Sequence, residues 1–367
     1  MTRHAYRGAA LTAAAVVAVF AILFAGQSAR AQSFDRQGMV TGWLTETILP
    51  LHEAFAAEAA ELEMAALAFD ADPTEDTLAA FREAWVDAVV AYERIQLFSL
   101  QRVMPLLSQL DSSPTNVQSI EQAISFQAEG TIDTLFVETL GSPAKGFSAL
   151  EYLIFARPLP PLAAVQNRRD YAASIAADMR RIADELVVQW TPGTDGYYGD
   201  RFIADEFELS NVRGMVSMVI NEMIANVEDI GKFHVGDPAG YRSGGTPQPQ
   251  LVESPYSGTS IRRLQANMET FREIVYGRGT APSLADYMDF IGAELNGEPF
   301  SAVLAAQLDA ITAALDAVEE PFAQSIVQNP DAVLTLYTEM RNLLVLTKTD
   351  MANQLGITIT FGDSDGD

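Results

Sequence analysis

Apolar positions recur along this chain at helical spacing and almost nowhere at the two-residue spacing of a strand. Val40, Trp43, Leu44, Ile48, Leu51, Phe55, Leu62 and Phe69 fall on one stripe and predict a long first helix. Pro50 lies inside it. Proline lacks an amide hydrogen and crowds the preceding turn, so a bend or break is expected there. Asp72-Pro73-Thr74-Glu75 reads as a new start, with Asp72 as N-cap, Pro73 as first helical residue and Glu75 as capping-box partner. Leu78, Phe81, Trp85, Val89, Tyr92 and Ile95 carry the apolar face of that second helix. Ser113-Pro114 restarts a third, with Val117, Ile120 and Ile124 on its apolar side. A shorter segment, Ile132 to Leu140, leads through Gly141-Ser142-Pro143 to Gly146-Phe147-Ser148-Ala149-Leu150-Glu151-Tyr152-Leu153-Ile154-Phe155, which Pro158, Pro160 and Pro161 end. Tyr171, Ile175, Met179, Ile182, Leu186 and Trp190 mark another long helix.

Thr191-Pro192-Gly193-Thr194-Asp195-Gly196 is dense in turn formers and reads as a domain boundary. The pattern resumes with Val212, Met215, Val219, Met223, Val227 and Ile230, then fades over 231–258, a stretch rich in Gly, Pro and Ser. A loop this long inside a domain points to a functional or covering role. Helices are expected again at 259–277, 282–295, 299–327 and from Asn329-Pro330 to Gln354, where Gly356 stops the last. The predicted fold is all-α: two packed four-helix-bundle-like domains, 36–190 and 197–367.

The N-terminus adds a destination. Arg3, His4 and Arg7 form a basic start, Gly8 to Gly26 an apolar run, and Ala29-Arg30-Ala31 a small-residue cleavage site, so 1–31 reads as a signal peptide and the mature protein as periplasmic. The other reading of the apolar run is a single membrane anchor. Residues 1–31 hold three arginines and no acid. The mature chain therefore keeps 20 basic and 49 acidic residues, a charge of −29 against −26 for the whole. Such a surface repels nucleic acid and anionic lipid. The absence of cysteine excludes disulfides, thiolate metal sites and cysteine nucleophiles.

Chemistry-bearing motifs are mostly absent. His52-Glu53-Ala54-Phe55-Ala56 has the first half of a zincin motif and lacks the second histidine. Gly146-Phe147-Ser148-Ala149-Leu150 fails as a nucleophile elbow because leucine stands where glycine is required, and Lys145 beside Ser148 is an unusual spacing for a Ser–Lys pair. On a helix, however, Ser148 and Glu151 share a face, next to an apolar stripe of Leu150, Leu153 and Ile154.

That stretch, Gly146-Phe147-Ser148-Ala149-Leu150-Glu151, resembles the G-x-H-x-x-E signature of the imelysin, or M75 peptidase-like, family. Glu253-Ser254-Pro255-Tyr256-Ser257 resembles the family's second-half E-S-P-x-S pattern, and Lys232 to Gly240 is similar to the segment before it. Leu355-Gly356 through Phe361-Gly362 to Asp365-Gly366-Asp367 resembles the family's ending. The resemblance implies a periplasmic all-α protein linked to iron uptake, with motif residues near the domain interface. It also implies iron or another divalent or trivalent metal as ligand, and an uptake component of the periplasm or outer membrane as partner. The motif residues carried over are Gly146, Ser148, Glu151, Glu253, Ser254 and Ser257.

Ser148 stands where the family has histidine, and a serine hydroxyl is a poor ligand for a transition metal. Metal ligation would then fall to Glu151 with other acids, Glu93 among them, and Tyr92 and Tyr152 are candidates for ferric iron. The expected role is a non-catalytic binding or accessory component. The alternatives are an M75-type metallopeptidase and a metal-independent scaffold binding a peptide or polysaccharide. His52 is expected at the surface or in a cap, and His234 in solvent. Gly146 is read as permitting close helix contact, Ser254 and Ser257 as capping the helix near 259, and Trp85 and Tyr92 as core.

Overall fold

The first long helix, α1, winds as Arg36–Gly42, a π-helical stretch Trp43–Ile48, and Leu49–Ala71. The Leu49 amide reaches back five residues to the Leu44 carbonyl. The missing amide hydrogen of Pro50 thus falls at the junction of two hydrogen-bond registers, and the helix runs on where a break was expected. The computed structural model describes residues 33–360 apart from 101–102, 127–131, 157–161, 163–164, 194–197, 205–207 and 210–211. The signal-peptide reading of 1–31, the three prolines at 158–161, part of the expected boundary turn and the 361–367 ending lie outside the described residues.

Helix α2 spans Glu75–Glu93, and its N-cap is Thr74, not Asp72. The Thr74 hydroxyl accepts from the Thr77 amide at 3.3 Å, and the Thr74 amide donates back to Thr77 Oγ1 at 3.1 Å. This reciprocal pair closes the helix start two residues later than expected and leaves Pro73 outside it. A short α3 (Met104–Leu107) precedes α4 (Val117–Phe126). The expected start of α4 at Ser113-Pro114 moves to residue 117, because Asn116 Oδ1 receives the Ser119 amide at 2.9 Å. After α5 (Thr134–Glu138), capped by Asp133, come the motif helix α6 (Gly146–Phe155) and the long α7 (Gln166–Trp190). Helices α1, α2, α6 and α7 pack together around Phe55, Trp85, Tyr92 and Phe147, confirming Trp85 and Tyr92 as core.

In the second half, α8 (Tyr198–Ile203) is followed by a two-residue antiparallel ladder, Glu208–Leu209 with Val212–Arg213, and by α9 (Gly214–Asp229). Helix α9 continues as a π-helical turn over Ile230–Gly236, so helical winding enters the stretch expected to be loop. Helix α10 covers Ser260–Tyr276. Helix α11 (Leu284–Phe290) stops short of the expected residue 295, since Gly292 takes φ 70° and a second small ladder, Glu294–Leu295 with Glu298–Pro299, begins. The single helix expected at 299–327 is two, α12 (Phe300–Asp316) and α13 (Phe322–Gln328), separated ahead of Pro321. Helix α14 winds as Pro330–Val345, a π stretch Leu346–Met351 and Ala352–Leu355, and ends at Gly356 in the left-handed region as expected.

Helices α9, α10, α12 and α14 form a second packed set, and α10 also lies against α2. The fold is all-α, its only strands among the described residues being the two short ladders. No described helix is long and apolar enough to cross a membrane.

Candidate functional site

The motif helix α6 is fixed at both ends by groups from elsewhere. Gly146 takes φ +73°, and the Phe147 amide donates to the Leu110 carbonyl at 2.7 Å. A side chain at 146 would be strained in that conformation and would collide with the same carbonyl, so glycine is required by a close backbone approach. Lys145, buried just before it, donates to Asp178 Oδ2 and Gln109 Oε1, each at 3.1 Å. Trp85 Nε1 donates to the Phe147 carbonyl at 3.2 Å, and Arg82 Nε to the Ile154 carbonyl at 2.7 Å.

So held, α6 presents Ser148 and Glu151 to two different partners. Glu151 is buried, and one of its oxygens, Oε1, collects three donors: the Ser257 amide and hydroxyl at 2.7 Å each and the Tyr256 amide at 3.2 Å. Burial pushes its carboxyl up to about 7, against the downward pull of the Ser257 and Tyr256 donors. Ser148 turns to Asp111. Its hydroxyl donates to Asp111 Oδ1 at 2.6 Å and its amide to the same oxygen at 3.2 Å. The Ser–Lys pairing therefore does not form: Lys145 is committed to Asp178 and Ser148 to Asp111.

Asp111 passes the connection on to α10. Its Oδ2 accepts from Arg263 Nη2 at 2.6 Å. The same nitrogen lies 2.5 Å from Glu93 Oε1 and 2.9 Å from Glu253 Oε1. Arg263 Nε adds a bond to Glu93 Oε1 at 2.7 Å, and Nη1 one to Ser254 Oγ at 3.2 Å. Glu253 Oε2 in turn lies 3.1 Å from His234 Nδ1. Arg263 is 1% exposed, and Glu93 and Glu253 are buried with it. Burial raises Glu93, and the nearby Glu253 charge adds to this against the opposing pull of Arg263. For Glu253 burial also acts upward, but Arg263 and His234 outweigh it and hold the carboxyl low. Burial works against charge on His234, yet Glu253 and then Glu93 prevail and bring it up to about 9.

The motif residues Ser148, Glu151, Glu253, Ser254 and Ser257 thus meet in one connected region, with Gly146 setting the entry of α6. Several expectations are corrected. His234 is ion-paired to Glu253 and only 25% exposed, not solvated. His52 is neither at the surface nor in a cap: it is 0% exposed, with Nδ1 bonded to the Ile48 carbonyl at 2.7 Å and its ring tilted against Phe98 and Trp190. Ser254 and Ser257 do not cap α10; Glu320 does, receiving the Ile261 and Arg262 amides at 2.8 and 3.0 Å. Tyr92 donates to the Leu107 carbonyl at 3.3 Å within electrostatic reach of Asp111, Glu93 and Glu253, while Tyr152 donates to Glu121 at 2.7 Å. Glu151 and Glu93 do not share a ligand set.

Sequence reasoning missed Asp111 and Arg263, the two residues that join everything else. Asp111 opens the turn Asp111-Ser112-Ser113-Pro114 and looks like ordinary turn chemistry. Arg263 shares a buried helix face with Ala266, Asn267 and Thr270, and an arginine on such a face is the signal that was available.

Glu93, Asp111 and Glu253 each offer an oxygen within 4.8 Å of the others, a spacing that could hold a metal ion. The residues around them do not fit one in this arrangement. Arg263 Nη2 touches all three carboxylates and stands where an ion bridging them would have to sit.

The comparisons with known proteins agree with the fold. The family model for imelysin, peptidase M75, matches residues 48–346. Iron-regulated protein A of Synechococcus elongatus is 23% identical over 237 residues, 62% of this chain, and the chain spans 61% of that relative's length. A crystal structure of a proposed iron-regulated protein A precursor from Parabacteroides distasonis superposes with a TM-score of 0.72 at 18% identity, covering 89% of this chain and 96% of that one. An imelysin-like protein from Psychrobacter arcticum does so with a TM-score of 0.72 at 15% identity, covering 90% and 99%.

Proposed function

The chain belongs to the imelysin family, and from that premise we propose that it is an exported, non-catalytic binding or accessory component of iron supply. The observation that carries the non-catalytic part is the guanidinium of Arg263 among Glu93, Asp111 and Glu253. Hydrolysis by a metallopeptidase needs a metal with a position left for water, plus a base beside it. Here a guanidinium stands among the acids, the motif serine is bonded to one of them, and the motif glutamate is engaged by Ser257 and Tyr256. The link to iron is drawn from the name of the Synechococcus relative and from the motif resemblance, and export from the leader-like 1–31. The partner is an uptake component of the periplasm or outer membrane.

Two measurements test the reading. Purified protein spanning 32–367, incubated with an unfolded protein substrate and added zinc, is expected to leave the substrate intact. Cleavage that a chelator stops and that Glu151→Gln abolishes would establish a peptidase instead. A deletion strain is expected to grow more slowly than its parent under iron limitation and equally in iron-replete medium. Equal growth in both media would remove the iron role.

A further inference from the structure

We infer that Arg263 is the tethered cation of a carboxylate cation site, and that its guanidinium is what keeps a metal ion out. The inference rests on the non-catalytic reading above and goes beyond it, because it names the residue that decides which cation the site holds.

The three acids arrive from separate segments. Glu93 ends α2, Asp111 lies in the turn after α3, and Glu253 lies in the loop before α10. Three carboxyl groups gathered at a largely buried point repel one another and lose hydration, and such a group persists with a cation among them or with a carboxyl protonated, the direction in which burial pushes Glu93. That cation is present. Arg263 Nη2 stands 2.5, 2.6 and 2.9 Å from Glu93, Asp111 and Glu253, so one nitrogen serves three segments as a hard ion would serve oxygen ligands. The guanidinium is permanently charged and covalently attached, so it neither dilutes away nor titrates.

Several neighbouring atoms are engaged as well. Asp111 Oδ1 is taken by Ser148 and by the Ser112 amide at 2.8 Å, Glu253 Oε2 by His234, and Arg263 Nη1 by Ser254. Ser148 is therefore a positioning residue: its hydroxyl aims the other oxygen of Asp111 at the guanidinium. An all-oxygen donor set of this kind suits a hard cation such as Mn²⁺ or Ca²⁺ once the arginine charge is gone.

The test compares wild type with Arg263→Met, which keeps volume without charge, and Arg263→Ala, which also opens space. Each is melted with and without Mn²⁺, and Mn²⁺ uptake is followed by the loss of its free EPR signal. Wild type is expected to melt at the same temperature with or without Mn²⁺. Both variants are expected to melt lower, to bind Mn²⁺ about tenfold or more tightly than wild type, and to regain part of the lost melting temperature. Adding Glu253→Gln to Arg263→Ala is expected to abolish the Mn²⁺ effect. Wild type that binds Mn²⁺ as tightly as the variants would overturn the inference, as would folded variants that ignore it. Variants that stay unfolded even with Mn²⁺ would also overturn it, because the claim is that an external cation can take the place of the internal one. Chelator-sensitive cleavage by wild type would defeat the non-catalytic reading and still leave the Mn²⁺ comparison to be decided on its own outcome.

Discussion

The two histidines of the described chain sit in opposite kinds of interior. His234 belongs to the charged cluster, where it faces Glu253 and is held protonated. His52 lies in an aromatic pocket of Phe98 and Trp190, where burial, only partly offset by the Ile48 carbonyl, lowers its pKa to about 4 and keeps it neutral. In the charged region nearly every polar atom on the path from Ser148 to His234 has a partner. In the aromatic region His52 Nε2, Trp190 Nε1 and the Tyr198 hydroxyl have none among the described residues. The lesson is about which groups a buried site can tolerate losing. Atoms that are paired through charge leave an uncompensated partner when removed, whereas an unpaired atom leaves nothing behind.

Breaking the charged side gives the largest expected effect. Arg263→Met should cost about 3–5 kcal/mol in denaturant unfolding, since three carboxyl groups, two of them on buried residues, lose the guanidinium they share. A loss under about 1 kcal/mol would show that the cluster is solvated in practice. The aromatic side breaks with acid. Because the folded pKa of His52 lies below its unfolded value of 6.5, the unfolded chain takes up the proton first, and stability falls as pH drops from 6.5 through about 4. The loss attributable to this group is roughly 3 kcal/mol, and the His52→Leu profile should be flatter over that window. Identical profiles would contradict the neutral, buried histidine.

Smaller changes sharpen the contrast. Ser148→Ala leaves Asp111 short of one donor and should cost about 1–2 kcal/mol, with Ser148→Thr restoring part of it. Tyr198→Phe removes a hydroxyl that bonds to nothing described, and unfolding free energy should stay within about 0.5 kcal/mol of wild type. A Tyr198→Phe cost matching that of Ser148→Ala would erase the distinction between the two regions.

Much of the fold was legible because helical stripes are local: the faces of α1, α2 and α7 follow from residues three and four apart. Ends were less legible. The start of α2 depended on a reciprocal bond between Thr74 and Thr77 that competed with the nearer Asp72-Pro73 signal. Pro50 was absorbed by a change of helical register that periodicity does not display. In the site, Ser148 and Glu151 could be picked out because one helix turn places them together. Their partners could not. Asp111 is 152 residues from Arg263, and His52 entered the core because Trp190, far along the chain, folds over it. Contacts at that separation are set by how helices pack, and local spacing carries no record of it.

In the proposed arrangement Arg263 fills the place a metal would take. Crystals of the wild-type protein grown with Mn²⁺ and measured for anomalous scattering test it most directly. The predicted map has no anomalous peak among Glu93, Asp111 and Glu253, with the guanidinium in contact with all three. A peak there, with Arg263 turned away, would contradict it.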